Sequence, residues 1–342
     1  ATTVYTTETV DKRDEVVTAY DRTTGERKWR TSWAGAMSVP FFAARNGSWI
    51  RSTPTVDEES VYVAGMLDVL VCLDKETGEE RWRADFVERF ETPKPDFGFV
   101  CSPLVVGDHV YVQAGASFVK VDKKTGETVW RSMEDGGGMF GSAFSSPTIA
   151  TIAGTEQLLV QSRTTLAGVS PNDGQVLWSQ NVRAFRGMNI LTPQPYKDSV
   201  FVSAYGGRAH RFDVTSGEDA FEAKEAWNNR AQGNMTSPVV IGNYAYLYLR
   251  AKRFACVDLD SGEEVWRSSG MGDEYWSLVA QGKRLLALTD AGELHLIQHD
   301  PGEMKILDTL EISEGKTWAH LCVDGGQLIV REQDGLAAYA WK

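Results

Sequence analysis

Basic residues are in short supply in this chain. Across 342 residues, 35 Lys and Arg face 47 Asp and Glu, a formal net charge of −12. A chain without a basic surplus is a poor non-specific ligand for nucleic acid, and it gains nothing from an anionic membrane surface. No stretch of about 18 apolar residues exists, so no segment is predicted to span a bilayer as a helix. Cysteine is sparse: Cys72, Cys101, Cys256 and Cys322, with no Cys-x-x-Cys pair to suggest a metal or redox site. Each lies in an apolar, strand-like run and reads as a buried thiol, although one or two disulfides stay open. Of five histidines, only His295 and His299 are closely spaced, and they fall on a strand and its turn, which disfavours zinc. Neither a Gly-x-Ser-x-Gly elbow nor a Gly-x-x-x-x-Gly-Lys phosphate loop occurs. Helical periodicity is weak throughout, and no helix is predicted. The chain opens on Ala1-Thr-Thr-Val-Tyr5 without an initiator methionine. That reads as a processed or trimmed product with a leader removed upstream.

What the chain does have is a repeat. Asp74, Gly78 and Trp82 stand in one frame: acid, three residues, glycine, three residues, tryptophan. The frame returns at Asp21, Gly25, Trp29; at Asp122, Gly126, Trp130; at Ser170, Gly174, Trp178; and at Asp258, Gly262, Trp266. Two worn copies are Asp213, Gly217, Phe221 and Gln298, Gly302, Ile306. Successive glycines lie 53, 48, 48, 43, 45 and 40 residues apart. A unit near 46 residues with only strand and turn signals fits a four-stranded propeller blade. Within a unit, Val69–Leu73 reads as a third strand, C. The Asp and Thr-Gly pair makes a turn in which glycine takes positive φ, and a fourth strand, D, carries the tryptophan. An indole buries roughly 150–250 Å². One per unit, docked between neighbours, is expected to hold the sheets together.

The first strand, A, has its own mark, Ser or Thr followed by Pro: Thr53-Pro54, Ser102-Pro103, Ser146-Pro147, Thr192-Pro193 and Ser237-Pro238. Proline belongs at a strand start or an edge. The predicted architecture is therefore all-β, a single β-propeller domain of eight blades, with seven as the alternative. The blades fall at about 1–33, 49–86, 99–133, 142–182, 188–227, 233–269, 275–311 and 317–342. The two terminal blades are incomplete on paper, the first without A and the last without D. Upstream residues are expected to supply both.

Loops from D to the next A vary most. Residues 31–50 and 84–98 carry Trp33, Phe41, Phe42, Arg45, Trp49, Phe86, Arg89, Phe90 and Phe97, and residues 136–141 are rich in glycine. Variable loops on a rigid scaffold are where function collects. This face is predicted to hold a protein partner, with Arg45, Arg89 and Phe90 as the residues to test. A second set is placed by the fold near the mouth of a central channel: Trp49, Arg51, Phe99, Phe144, Asn189, Asn234, Tyr275, Trp276, Trp318 and His320. Aromatics with a few convergent polar groups suit a small ligand, and Arg51 suits an anionic group. The same residues could simply plug the channel. Asn46-Gly-Ser48 and Asn234-Met-Thr236 match the short glycosylation pattern, which is common by chance.

The C-to-D signature and the Ser-Pro strand together resemble the pyrroloquinoline-quinone-like repeat. That repeat defines the BamB-like propellers within the quinoprotein alcohol dehydrogenase-like superfamily, and the resemblance covers essentially the whole chain. It implies an eight-bladed propeller with tryptophan docking, exported to the periplasm or beyond. Fold alone does not fix function. Quinoprotein dehydrogenases carry adjacent cysteines and a Glu, Asn and Asp calcium set, and neither aligns here. No cofactor and no metal are expected, and quinone and calcium chemistry are disfavoured. The expected role is a non-catalytic protein-interaction scaffold of the bacterial envelope. The alternative is a small-molecule or carbohydrate-binding propeller at the channel mouth, with quinoprotein-like catalysis as its extreme form.

Overall fold

The computed structural model describes residues 2–44, 47–138, 143–218 and 220–340. It is all-β, an eight-bladed β-propeller, so the seven-blade alternative falls. The first sheet is β1 (Thr3–Val10), β2 (Asp14–Asp21) and β3 (Arg27–Ala34). The second is β4 (Thr55–Val56), β5 (Ser60–Gly65), β6 (Val69–Asp74) and β7 (Glu80–Asp85); the third is β8 (Leu104–Val106), β9 (His109–Ala114), β10 (Ser117–Asp122) and β11 (Thr128–Ser132). The fourth is β12 (Thr148–Ile152), β13 (Thr155–Gln161), β14 (Thr165–Val169) and β15 (Val176–Asn181). The fifth is β16 (Gln194–Tyr196), β17 (Ser199–Ser203), β18 (Ala209–Ser216) and β19 (Phe221–Asn229); the sixth is β20 (Val239–Ile241), β21 (Tyr244–Leu249), β22 (Arg253–Asp258) and β23 (Glu264–Arg267). The seventh is β24 (Trp276–Gln281), β25 (Arg284–Thr289), β26 (Glu293–Gln298) and β27 (Lys305–Glu311); the eighth is β28 (Cys322–Asp324), β29 (Gln327–Arg331) and β30 (Leu336–Ala340). Every pairing recorded within a sheet is antiparallel. The chain divides into two compact units, Ala1–Ala150 with Glu156–Asn181, and Thr151–Thr155 with Val182–Lys342.

The repeat signature is a turn with a fixed register. Cys72 on β6 faces Trp82 on β7, while the next residue, Leu73, faces Glu80, so Arg81 bulges out. Asp74 Oδ1 accepts from the backbone N–H groups of Glu76 and Thr77, both at 2.9 Å, and Gly78 turns the chain at φ +75°. Arg81 reaches back to the same carboxylate at 2.7 Å and, with those two N–H bonds, holds it at a pKa of about 2. The bulge recurs opposite Ala19, Lys120, Gly168, Arg211, Cys256 and Leu296.

The indoles sit in the seams. Trp29 donates to Lys75 O at 3.0 Å, Trp82 to Lys123 O at 2.9 Å, and Trp130 to Pro171 O at 3.4 Å, each a carbonyl of the following sheet. The rings lie over Gly78, Gly126 and Gly174, so tightly that a Cβ there would approach within 2.5, 2.7 and 2.8 Å. Trp266 donates to Asp300 O at 2.9 Å.

Four expectations change. In the fifth sheet the docking residue is Trp227, not Phe221. Trp227 faces Arg211 at the bulge, donates to Leu259 O at 2.9 Å and covers Gly262. The hairpin joining β18 to β19 is longer, which pushed the indole six residues out of the sequence frame. In the seventh sheet the bulge places Asp308, not Ile306, at the docking position. Gly217 and Gly302 do not share the positive φ of Gly25, Gly78, Gly126, Gly174 and Gly262, so these two turns are of another kind. Trp178 keeps its bond at home, donating to Gln157 Oε1 on its own sheet at 2.7 Å.

The Ser-Pro mark also has a structural meaning the sequence did not reveal. Thr53 N–H donates to Ser102 Oγ at 2.9 Å, Ser102 N–H to Ser146 Oγ at 2.9 Å, and Thr192 N–H to Ser237 Oγ at 3.2 Å. The hydroxyl of one sheet satisfies the backbone of its neighbour, and the short A strands begin just past each proline.

Candidate functional site

The predicted channel-mouth residues separate into several environments. In the first unit, Trp49 packs over Gly47, and exposed Arg51 donates to Ala43 O at 3.3 Å. Protein around Arg51 holds its guanidinium below the ordinary pKa by desolvation. Phe99 is fully buried, edge-on to Phe86 at 6.3 Å. Phe144 belongs to a loop-borne run of rings. Phe41, 90% exposed, meets Phe42 at 5.5 Å; Phe42 meets Phe97 at 6.1 Å; Phe97 meets Phe144 at 5.4 Å; and Arg163 caps Phe144 at 4.8 Å.

In the second unit, Tyr275 stacks on Trp318 at 5.3 Å, with His320 edge-on to Tyr275 at 6.5 Å. His320 Nδ1 lies 3.2 Å from Ser277 Oγ, which itself accepts from Leu321 N–H at 2.9 Å. Although open to solvent on one side, the imidazole is desolvated enough to lower its pKa. Trp276 does not join this group. It is wholly buried, stacked on Tyr248 at 5.0 Å, with its N–H on Asp273 Oδ2 at 2.9 Å. It is a core residue because it opens β24 on the face turned into the apolar cluster. Asn189 and Asn234 are also buried and committed, donating to Val182 O at 2.8 Å and Glu274 O at 2.7 Å. Asn234 has no exposed amide for a glycan.

Two of the residues picked for partner contact are structural. Residues 86–90 form one helical turn, α1 (Phe86–Phe90), capped by Asp85, whose Oδ1 accepts from Glu88 N–H at 3.0 Å. This corrects the expectation of no helix. From α1, Arg89 donates to Gly126 O at 2.8 Å and Thr128 Oγ1 at 3.0 Å, and Phe90 lies under Arg131 at 4.4 Å. Arg45, Asn46 and Met139–Gly141 lie outside the described residues.

Buried carboxylates form a second set that the sequence did not flag. Glu15, fully buried, accepts from Trp33 Nε1 at 2.9 Å and from Met66 N–H of the next sheet at 2.7 Å. Asp68 does the same one sheet on, accepting from Gly115 N–H at 2.7 Å. Burial pushes both up to about 7; the hydrogen bonds, and Arg83 beside Glu15, oppose it, while Asp85 adds to it at Asp68. Among the described residues no group of three or more His, Cys, Asp or Glu side chains is placed to hold a metal. Cys72, Cys101 and Cys256 are buried and Cys322, expected to be buried too, lies at the surface on the short β28; none of the four is in a disulfide.

The feature most at odds with the composition lies in the second unit. Four neighbouring loops, residues 182–193, 204–208, 230–238 and 250–253, contain no acid at all. They carry Arg183, Arg186, Arg208, Arg230, Arg250, Lys252 and Arg253. The loops touch: Phe185 N–H donates to Tyr205 O at 2.8 Å, and Arg250 N–H to Gln232 O at 2.9 Å. Phe185, 45% exposed, lies between Arg186 at 5.2 Å and Arg250 at 5.5 Å, and Arg250 also covers Tyr205 at 4.7 Å. Flanking acids are already engaged, Glu225 by His210 and Asn228, and Glu274 by Lys252 at 2.8 Å. Among the described residues Arg183, Arg208, Arg230 and Arg250 make no ion pair. A count of acids per loop along the sequence would have found this rim.

Eight antiparallel sheets, with indoles packed over the turn glycines Gly78, Gly126, Gly174 and Gly262 of the following sheets, define a tryptophan-docking β-propeller. Within that class the chain belongs to the family described as outer membrane protein assembly factor BamB, whose model matches residues 13–268. Named BamB relatives include those of Shewanella oneidensis, 25% identical over 46% of this chain, and Moranella endobia, 23% identical over 75%. A third, from Nitrosomonas eutropha, is 25% identical over 64%. The alignments take in 36%, 67% and 52% of those proteins' own lengths. Among solved structures, BamB from Moraxella catarrhalis superposes with a TM-score of 0.70 at 14% identity, covering 99% of this chain and 95% of that one. The computationally designed Ika8 protein superposes at 0.65 and 11%, covering 99% and 97%. At these identities the superpositions speak to fold alone.

Proposed function

We propose that this chain is a non-catalytic protein-interaction scaffold of the bacterial envelope, taking part in the assembly of outer membrane proteins as its named relatives do. We place the docking surface on the arginine-bearing loops of the second unit. One observation carries the reading: a chain of net charge −12 gathers seven cations and no acid on four adjoining loops, around an exposed phenylalanine. Loops of that kind suit a partner with an apolar side chain for the Phe185 site and carboxylates for the surrounding guanidinium groups. No cofactor and no metal enter this reading.

The experiment is site-specific photo-crosslinking from position 185 in envelope preparations, with Arg186→Glu and Arg250→Glu as partners. We expect a discrete crosslinked adduct with an outer membrane assembly protein. Each charge reversal should lose it while leaving the melting temperature unchanged. An adduct that survives both reversals would refute the placement.

A second reading rests on the Tyr275–Trp318 stack with His320 at its edge, which would suit a planar ligand or a sugar ring. A ligand held there at a hundred times its dissociation constant adds about 2.7 kcal/mol of stability. A thermal-shift series with quinones and sugars decides it: a shift lost in Trp318→Ala supports the site, and no shift removes it.

A further inference from the structure

Asp68 sits in the turn between β5 and β6, only 3% exposed, and commits a single oxygen, Oδ2 accepting from Gly115 N–H at 2.7 Å. Its other oxygen has no partner among the described residues and is left to a cavity that Asp68 lines. The cavity lies within the first unit, walled by the β9–β10 turn, by Pro93 and Phe99, and by the loop that follows β11. Asp135 N–H donates to Ala116 O at 2.8 Å, which fastens that loop to the turn. The Asp135 side chain borders the same space and likewise commits one oxygen, accepting from Gly137 N–H at 2.7 Å.

Two carboxyl groups thus share a cavity in which, among the described lining residues, there is no Lys, Arg or His. Arg131, at the end of the adjoining strand, is already engaged: it donates to Ser117 Oγ at 2.9 Å and to Gly115 O at 2.8 Å, and pairs with Glu134 at 2.9 Å. Desolvation raises the pKa of both carboxyl groups; Asp85 adds to it at Asp68, while Arg163 and Arg131 oppose it at Asp135. A carboxylate held this way lacks a counter-charge, and an entering cation would supply one.

Size and chemistry select the cation. The cavity is about 20 Å³, against the roughly 10–15 Å³ that one water requires. A primary ammonium head is compact, with three donors, whereas a guanidinium is a broad planar fork. Calcium would take six to eight oxygens, and among the described residues no group of three metal-binding side chains exists. Pro93 and Met133 offer apolar wall to an alkyl stem, and Pro93 and Asp135 are exposed at the margin, which gives an entrance.

We infer that this cavity binds a primary alkylammonium group, with Asp68 and Asp135 accepting hydrogen bonds from the head and Pro93 and Met133 covering the stem. The same head occurs on a lysine side chain of a partner protein and on a free alkylamine. None of these residues belongs to the arginine-bearing loops, so failure here leaves the proposed docking surface untouched.

The test is a titration of the ¹⁵N-labelled full chain with n-butylammonium chloride at pH 8, above the value of about 7 to which burial pushes Asp68. We expect saturable movement of the Gly115 and Gly137 amide signals. 1-Butanol and n-butylguanidinium should bind about tenfold more weakly or worse, because each lacks the compact charged donor. Asp68→Asn, which keeps an acceptor for Gly115 N–H, should weaken butylammonium binding by about tenfold or more. Asp135→Asn, at an exposed position, should weaken it too. Acetyl-Gly-Lys-Gly-amide moving the same signals would assign the head to a partner's side chain; its exclusion while butylammonium binds would assign it to a free amine. No saturable movement, equal binding of the alcohol or the guanidinium, or binding unchanged in both carboxamide variants would overturn the inference.

Discussion

The indole of Trp82 covers Gly126 so closely that a Cβ there would come within 2.7 Å of the ring. Gly25 has the same backbone, φ +74° against +76°, but nothing within 4 Å of the same point. The pair separates two costs that usually travel together. Gly25→Ala should lose about 1 kcal/mol for the left-handed backbone alone. Gly126→Ala adds overpacking, typically 1–3 kcal/mol. Urea denaturation of the two variants should therefore differ by about 2 kcal/mol; equal losses would contradict the seam geometry.

Trp227 and Phe221 give a second contrast. Trp227→Ala removes a seam indole and should cost about 3–5 kcal/mol. Phe221→Ala removes a residue at the start of β19 and should cost about 1 kcal/mol. Thermal melts that rank them in the opposite order would restore the sequence frame.

Glu15 and Asp68 make stability depend on pH in a defined direction. Both have folded-state pKa values raised to about 7, above the unfolded carboxylate range. The folded chain thus binds more protons than the unfolded chain between about pH 4 and pH 7. Their contribution is fully present below the unfolded pKa and is lost as pH rises through 7. The wild-type chain should lose stability across that window, by up to about 3 kcal/mol per group. Asp68→Asn and Glu15→Gln should each flatten the profile. A melting temperature that climbs from pH 5 to pH 8 would exclude the effect.

The four thiols should react in two classes. Cys322 lies at the surface, whereas Cys72, Cys101 and Cys256 are buried, with burial raising them to about 11, 12 and 12. Mass spectrometry after brief alkylation at pH 8 should show one modified cysteine in the native chain and four in denaturant. Early modification of any of the three buried residues would place a breach in its sheet.

The blade count and seam chemistry were legible because one glycine frame repeats and its turn geometry is local. The frame failed where the hairpin length changed. Nothing in Asp213-x-x-x-Gly217 announces that β18 and β19 run on to Trp227, because the pairing that fixes the docking position is made across strands. The candidate site was less legible. Trp276, Asn189 and Asn234 have the residue types of a ligand site, yet their partners come from sequence-distant carbonyls and rings that spacing cannot supply. Arg89 was misplaced for the same reason, since its bonds to Gly126 and Thr128 cross to another sheet. The arginine-bearing loops were visible in the sequence all along, as an absence of acids rather than as a motif.

Serine hydroxyls that take up the backbone N–H just ahead of an adjacent A strand do more than join two sheets. They leave those strand margins with little to offer a foreign chain, so fibril growth by margin-to-margin addition has no foothold there. A chain kept at high local concentration would gain colloidal safety from three small serine hydroxyls, with no added charge.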